Sequence, residues 1–387
     1  MHASATRRYR LLNRNRAGVS VIRTDIAIIG AGMAGASLAA MIGDRARIVL
    51  IEREAQPGYH STGRSAAFWQ ESYGGPQVQP LTTASGPLLK AEGVLHPRGT
   101  IHVADADGER ALESLAAELA GGGIDFTVLD RAALEAAVPG IRPAFRRGIG
   151  EPSCRDIDVA MLHARFLARA RAAGTTLLVD APLDGVERVG GGWRLATRAG
   201  EVRADVVVNA AGAWASAVAA MAGAMPTLVQ PFRRTIVQLA VDPPTVPDLP
   251  LVMDARGRFY FKPEAGGRLW LSPHDETPVD PHDVAPEELD VAVAIDRLEQ
   301  AVEWRVVKRE RAWAGLRSFA PDRAPIYGFD PHAPGFFWCA GQGGFGIQTA
   351  PAGAMLAAAL LLRQPPPEPV SAIDAARYAP DRVYRAG

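Results

Sequence analysis

Residues Thr24–Arg53 read TDIAIIGAGMAGASLAAMIGDRARIVLIER. The apolar run Ile26 to Ile29 predicts a buried strand that stops at Gly30-Ala31-Gly32-Met33-Ala34-Gly35, where an alanine-rich helix opens. In such a turn Gly30 serves the tight bend, Gly32 lets the backbone approach a pyrophosphate, and Gly35 lets helix and sheet pack closely. The pyrophosphate sits at the helix N-terminus, where unpaired N–H groups and the macrodipole favour negative charge. A second strand, Arg47 to Ile51, ends at Glu52, about twenty residues past the turn, where an acid can accept hydrogen bonds from a ribose. A lone GxGxxG is weak, but here strand, helix, second strand and terminal acid agree. These residues leave FAD and NAD both open.

The chain has 387 residues, with 42 basic and 42 acidic side chains and a formal net charge of zero. That balance argues against nucleic acid or an anionic membrane surface as a partner. The length predicts two lobes with substantial cores, and 48% hydrophobic content with 39 glycines suits an α/β enzyme rich in turns. Cys154 and Cys339 form neither CxxC nor a metal spacing, so two buried thiols in a reducing compartment and no metal site are expected. Residues 1–23 carry six arginines and no acid, and are read as a disordered N-terminal extension. The apolar run Ala352 to Leu362 falls short of the about twenty residues a bilayer needs. No integral membrane segment and a cytoplasmic location are expected.

Beyond Arg53, the run Pro57 to Ala67 (PGYHSTGRSAA) gathers small and hydroxyl residues around one arginine. It can lay Ser61, Thr62, Ser65 and the backbone at Ala66 along a second phosphate with Arg64 as charge partner, or be a surface loop with a solvated arginine. Leu81 to Lys90 and Gly108 to Gly121 predict helices and Thr100 to Val103 a strand, while His96 and His102 lack ligand spacing. Asp158 is placed to cap a helix from Val159 to Ala173. Leu177 to Val179 is a strand, Val186 to Arg188 pairs with Trp193 to Thr197, and Asp205 to Asn209 runs into a second glycine turn and alanine-rich helix. Arg233 to Leu239, Leu251 to Asp254, Phe259 to Lys262 and Arg268 to Leu271 predict strands, followed by an acidic helical segment from Asp280 to Glu299. Phe336 to Ala340 is a buried strand before a glycine turn, with the last helix expected from Ile347 to Leu362.

The run Glu52–Ala67, EREAQPGYHSTGRSAA, resembles the flavin-phosphate segment of the D-amino acid oxidase superfamily, most closely the bacterial D-arginine dehydrogenase group. The resemblance extends from Thr24 to about Pro366 through VVNAAGAW (207–214), WAGLRSF (313–319) and GQGGFGIQ (341–348). It implies a Rossmann-type FAD-binding domain (24–72, 151–225 and 310–370) interleaved with an α+β substrate domain on a mostly antiparallel sheet (73–150 and 226–309). It also implies FAD, expected noncovalent because Pro321 to Ile326 has no cysteine. Carried over, the cofactor contacts are Gly30, Gly32, Ala34, Gly35, Glu52, Arg53, Ser61, Thr62, Arg64, Ser65, Ala66, Pro182, Ala211, Gly212, Trp214 and Gly315, with Gly343, Gly344, Phe345, Gly346, Ile347 and Gln348 at the flavin edge.

The resemblance further implies removal of a hydride from a carbon bearing an amine, with the substrate held about 3 to 3.5 Å from the flavin. Arginine suits the carboxylate clamp because its planar fork matches a carboxylate bidentately. Arg317 and Arg234 match that clamp, although strand register could turn Arg233 inward instead. Tyr260 matches a substrate-contacting tyrosine, Tyr73 one on a gating loop, and Gln348 a position around the pocket. Two departures stand out. Phe68 and Gln70 replace a histidine and a threonine, and Ala91, beside Glu92, replaces the glutamate for a guanidinium. An unpaired buried cation costs several kcal/mol, so D-arginine is disfavoured; Phe68 and Met253 suit a neutral D-amino acid. The expectation is oxidation through an imine to a 2-oxo acid and ammonia, with quinone, electron carrier or oxygen left open as acceptor. An N-methylated or cyclic amino acid, a 2-hydroxy acid, or flavin binding without turnover remain alternatives.

Overall fold

The computed structural model describes residues 21–227 and 229–384. Its first strand, Val21–Ile29, lies parallel between Gly200–Asn209 and Ile48–Ile51, with Ile26 opposite both Val206 and Ile48. Thr176–Leu178 extends the parallel order on one side and Phe336–Ala340 on the other. The hairpin Leu183–Val189 and Gly192–Thr197 closes one edge antiparallel, and Ile326–Phe329 pairs antiparallel with Phe336–Ala340.

Both faces of this eight-stranded sheet are covered. Ile26, Ile28, Ile48 and Leu50 pack with Leu38 of the helix Met33–Ile42 and Leu356 of the helix Ala350–Leu361. Ala27, Ile29, Val49 and Ile51 share the opposite core with Val218 and Trp338. Burial on both sides explains why these strands read as unbroken apolar runs, each large side chain stabilising by about 1.5–3 kcal/mol.

A second sheet of ten strands runs, in order, Gln342–Gly343, Arg305–Phe319, Gln230–Asp242, Arg268–Ser272, Tyr260–Glu264, Leu251–Asp254, Thr100–Ala104, Arg147–Glu151 and Thr127–Leu129, with Thr277–Pro278 beside Gln230–Asp242. All pairs are antiparallel except Leu251–Asp254 with Thr100–Ala104. Its core (Val237, Leu239, Phe261, Leu271) is covered by Leu298 of the helix Glu288–Ala301 and Leu134 of Arg131–Ala137. A small sheet, Phe68–Trp69, Arg155–Ile157 and Leu95–Pro97, links the two. As the sequence suggests, Asp158 caps the helix Val159–Ala172, accepting from Met161 N at 2.9 Å, a contact worth about 1 kcal/mol.

Several expectations need correction. Val21 to Arg23, assigned to an N-terminal extension, are strand residues paired with Glu201 to Arg203; residues 1–20 lie outside those described. The helix Gln79–Ala91, assigned to the substrate domain, buries Leu81 in the core of the eight-stranded sheet, where Ser85 Oγ accepts from Ala352 N. Residues 310–319, assigned to the cofactor domain, belong to the ten-stranded sheet because Arg305–Phe319 pairs with Gln230–Asp242 over its whole length. The acidic helix starts at Glu288, since Pro281 and Pro286 hold the preceding segment as a loop. The last helix starts at Ala350, with Pro351 in its first turn. Among the described residues, no helix is long and apolar enough to cross a membrane, and no cluster of three or more side chains could hold a metal ion.

Candidate active site

Gly30 has φ +100°, and a Cβ there would overlap the Ala210 carbonyl; a Cβ on Gly35 would overlap the Gly30 carbonyl. The first strand, the glycine turn and the Asn209–Ala211 crossing are therefore in direct backbone contact. Gly30 N donates to Ile51 O at 2.7 Å, and Ala31 N to Glu52 Oε2 at 3.0 Å. The acid at the end of the second strand thus braces the turn itself while facing the cleft. Met33 N donates to Thr62 Oγ1 at 3.0 Å. The amides of Gly32 and Ala34 have no hydrogen-bond partner among the described residues, leaving donors at a helix N-terminus for an anion.

These groups border a cleft of about 340 Å³. Lining it are Gly30, Gly32, Ala34, Glu52, Arg53, Ser61, Thr62, Arg64 and Ser65 from the first strands and loop; Pro182, Ala211, Gly212 and Trp214 from the second crossing; and Arg234, Gly315, Arg317, Gly343, Gly344, Gly346 and Ile347 from the far end. Arg53 lies over the Trp214 ring at 4.6 Å. Orphaned helix amides, a glycine turn pressed on its neighbours and a long cleft fit a dinucleotide. Gly35 and Phe345 do not line it: Gly35 packs beneath the turn, and Phe345 packs on Tyr73 and Phe319.

Arg64 lines the cleft and also ties it to the second sheet. Its guanidinium donates to Val284 O at 3.0 Å and Ala314 O at 3.2 Å and pairs with Asp283, which also accepts from Tyr59 Oη at 3.0 Å. With Ser61 Oγ donating to Leu316 O at 2.6 Å, the loop is fastened to Arg305–Phe319.

A smaller pocket of about 20 Å³ adjoins the cleft, lined by Ser65, Ala66, Ala67, Phe68, Tyr73, Tyr260, Arg317, Gly344, Ile347 and Gln348. Arg317 and Arg234 come from neighbouring antiparallel strands, Arg317 opposite Phe232 and Arg234 opposite Gly315. Arg233 points the other way, pairing with Glu287 and with Asp290 at 2.8 Å. Arg234 Nε donates to Asp275 O at 2.7 Å and Nη2 to Glu276 Oε1 at 2.9 Å, while Nη1 has no acceptor. Arg317 Nε is likewise unanswered, and no carboxylate pairs with Arg317 among the described residues. Burial, then the charge of Arg317, pull the Arg234 pKa down. Burial also works against the Arg317 charge, but Tyr73 and Tyr260 outweigh it and leave that pKa raised. Two neighbouring guanidiniums, each with a buried unmet donor, are a receptor for an anion.

Gln348 lines the small pocket and has partners of its own. Its Nε2 donates to Tyr73 O at 2.8 Å and to Thr82 Oγ1 at 3.1 Å, and its Oε1 accepts from Gln70 N at 3.2 Å. One amide hydrogen goes to the Tyr73 loop and the other to the helix Gln79–Ala91. Phe68, in the place of the missing histidine, packs on Tyr73 at 5.0 Å and Tyr260 at 6.3 Å. Glu92 pairs with Arg165 and Arg169 away from the pocket.

Asp275, Glu276 and His274 went unnoticed in the sequence. A run of charges directly after an apolar strand, Pro273-His274-Asp275-Glu276, was the available signal. His274 Nδ1 donates to Gly257 O at 2.7 Å and its ring meets Tyr260 edge-on. Burial, then Arg234, lower its pKa to about 3, so it stays neutral.

Two solved structures share this fold: glycine oxidase from Geobacillus kaustophilus (TM-score 0.80, 24% identity, covering 92% of this chain and 98% of that one) and L-proline dehydrogenase from P. horikoshii (TM-score 0.80, 20% identity, 95% and 99%). In sequence the chain is 30% identical to the glycine oxidase of Pseudomonas aeruginosa over 259 residues, 63% of this chain and 65% of that protein. It is 29% identical to the mitochondrial dimethylglycine dehydrogenase of Mus musculus over 253 residues, 60% of this chain and 29% of that longer protein. These matches thus span less than two thirds of each curated relative. A model of the FAD dependent oxidoreductase (DAO) family matches residues 25–360, and the chain belongs to that family of FAD-binding flavoproteins.

Proposed function

We propose that this chain oxidises the α C–N bond of a small neutral D-amino acid, with glycine as the achiral limit. One observation carries the reading: Arg317 and Arg234 bring unanswered buried donors to the junction of the long cleft and the small pocket. In this reading the eight-stranded sheet is the FAD lobe, the ten-stranded sheet is the substrate lobe, and FAD is held noncovalently, neither cysteine lining the cleft. FAD supplies the acceptor for a hydride, two electrons with one hydrogen.

The residues of this chain do the positioning. Arg317, helped by Arg234 Nη1, takes the substrate carboxylate and fixes Cα toward the cleft. Tyr73, Phe68 and Tyr260 wall the pocket and exclude water. Its lining holds no His, Asp, Glu or Lys, so the ammonium proton passes to bulk water as the substrate enters, before the walls exclude water and the hydride leaves Cα. The imine is then hydrolysed to a 2-oxo acid and ammonia. The absence of a lining carboxylate speaks against D-arginine, whose guanidinium would be buried unpaired. The D configuration rests on the motif resemblance; the names of the relatives favour a second reading, an N-methylated or cyclic amino acid in the same clamp.

Anaerobic titration of the purified flavoprotein separates these. Bleaching of the flavin band by glycine and D-alanine but not L-alanine supports the first reading. Bleaching by sarcosine or proline alone moves the assignment to the second. A flavin that stays oxidised with every amino acid sinks both.

A further inference from the structure

Glu151 ends the strand Arg147–Glu151 and is fully buried, yet no Arg, Lys or His pairs with it among the described residues. Its carboxylate is satisfied by one short segment. Gln70 Nε2 and Ser72 Oγ donate to Oε2 at 2.9 and 2.6 Å; Glu71 N and Ser72 N donate to Oε1 at 3.1 and 3.4 Å, and Ser153 Oγ adds a bond at 3.4 Å. Three consecutive residues thus close on one carboxylate. Thr100 Oγ1 donates to Gln70 Oε1 at 3.2 Å, and neutral His102, its pKa lowered by burial to about 4, meets Gln70 Nε2 at 2.9 Å.

The residue after this segment is Tyr73, which lines the substrate pocket and packs on Phe68 and Phe345. Its carbonyl is held by Gln348 from the glycine turn. The tyrosine is therefore suspended between two anchors: Glu151 of the ten-stranded sheet on one side and the cleft-side turn on the other. Glu151 lines neither cavity, so it has no route to the substrate itself. A buried carboxylate without a cation is costly unless donors converge on it, and here the converging donors are those that fix the segment leading into Tyr73.

We infer that Glu151 is a positioning residue: it pegs residues 70–72 and thereby sets where Tyr73 stands against Arg317, and so how tightly the pocket closes on its substrate. The inference rests on the proposed reading of the pocket for its kinetic consequence, while the mechanical part stands apart from it. The test uses the FAD-loaded enzyme and the variants Glu151→Gln, Ser72→Ala and Tyr73→Ala. Loss of a charge-assisted anchor predicts that Glu151→Gln raises KM about tenfold with kcat within about twofold. In the Tyr73→Ala background the same change should add nothing, because the peg then has no tyrosine to place. Hydrogen exchange followed by mass spectrometry should show residues 70–78 opening about tenfold faster while the strand Ile26–Ile29 is unchanged. Should Glu151→Gln fail to fold, Ser72→Ala, which removes the single 2.6 Å bond, must show the same pattern at about threefold. Additive kinetic effects, or faster exchange throughout the chain, overturn the inference. If no amino acid reduces the wild-type flavin, the functional reading fails, and the exchange pattern alone still decides for or against the peg.

Discussion

The cofactor cleft and the proposed substrate pocket are built from different materials. The cleft is a backbone structure: its turn is held by Gly30 N on Ile51 O, Ala31 N on Glu52 and Met33 N on Thr62, and its anion donors are main-chain amides. The pocket is a side-chain structure, assembled from residues 65–68, Tyr73, Tyr260, Arg317, Gly344, Ile347 and Gln348, which are far apart in the chain. Backbone recognition demands particular residue types at fixed spacing. Side-chain recognition demands only that distant ends meet, which the register of the strands decides.

The sharpest way to break the cleft is Gly30→Ala. With φ at +100° and the Ala210 carbonyl in the way, the substitution is strained twice over; the purified protein should carry essentially no flavin by its absorbance ratio. Breaking the pocket should spare the cofactor. Arg317→Ala should keep its flavin but lose roughly 10²–10³-fold in the anaerobic rate of flavin reduction per mole of substrate, the scale of removing a buried charged partner. Arg234→Ala should lose roughly tenfold, because Asp275 and Glu276 already hold one edge of that guanidinium.

A pH experiment sharpens the contrast at the pocket's edge. His102 has its folded pKa lowered to about 4 by burial, below the 6.5 of an unfolded histidine. Between these values the unfolded chain binds the extra proton, so stability is present above pH 6.5 and is lost as pH falls toward 4. That loss is on the order of 3 kcal/mol. Thermal unfolding scanned from pH 7 to 4 should show it, and His102→Gln should flatten the slope. The smallest effect belongs to Asp283→Asn: it removes an exposed partner of Arg64, and should speed flavin release by no more than about threefold without changing KM.

The parallel sheet and the glycine turn were legible because a phosphate-binding turn and a sheet covered on both faces leave local signatures, runs of apolar residues and glycines at set intervals. The clamp was legible only in part. Nothing local to Arg233-Arg234 says which faces the pocket; the pairing of Gln230–Asp242 with Arg305–Phe319 does. The same holds for Gln348, whose amide goes to the Tyr73 backbone, and for Arg64, drawn to Val284 and Ala314 across the sheet boundary. Glu151 stood out in no local pattern: four of the five donors to its carboxylate come from residues 70–72, which only the fold brings to it.

The two arginines of the proposed clamp ride on adjoining antiparallel strands, and both irregularities in that pairing fall beyond Gln238, past the stretch that carries them. The separation of their main-chain positions is thus gauged by the ladder. An unchanging berth for a carboxylate leaves the surrounding wall free to be recut. Exchanging Phe68, Tyr73 or Tyr260 alters which molecule is admitted while the handle by which it is grasped stays where it was.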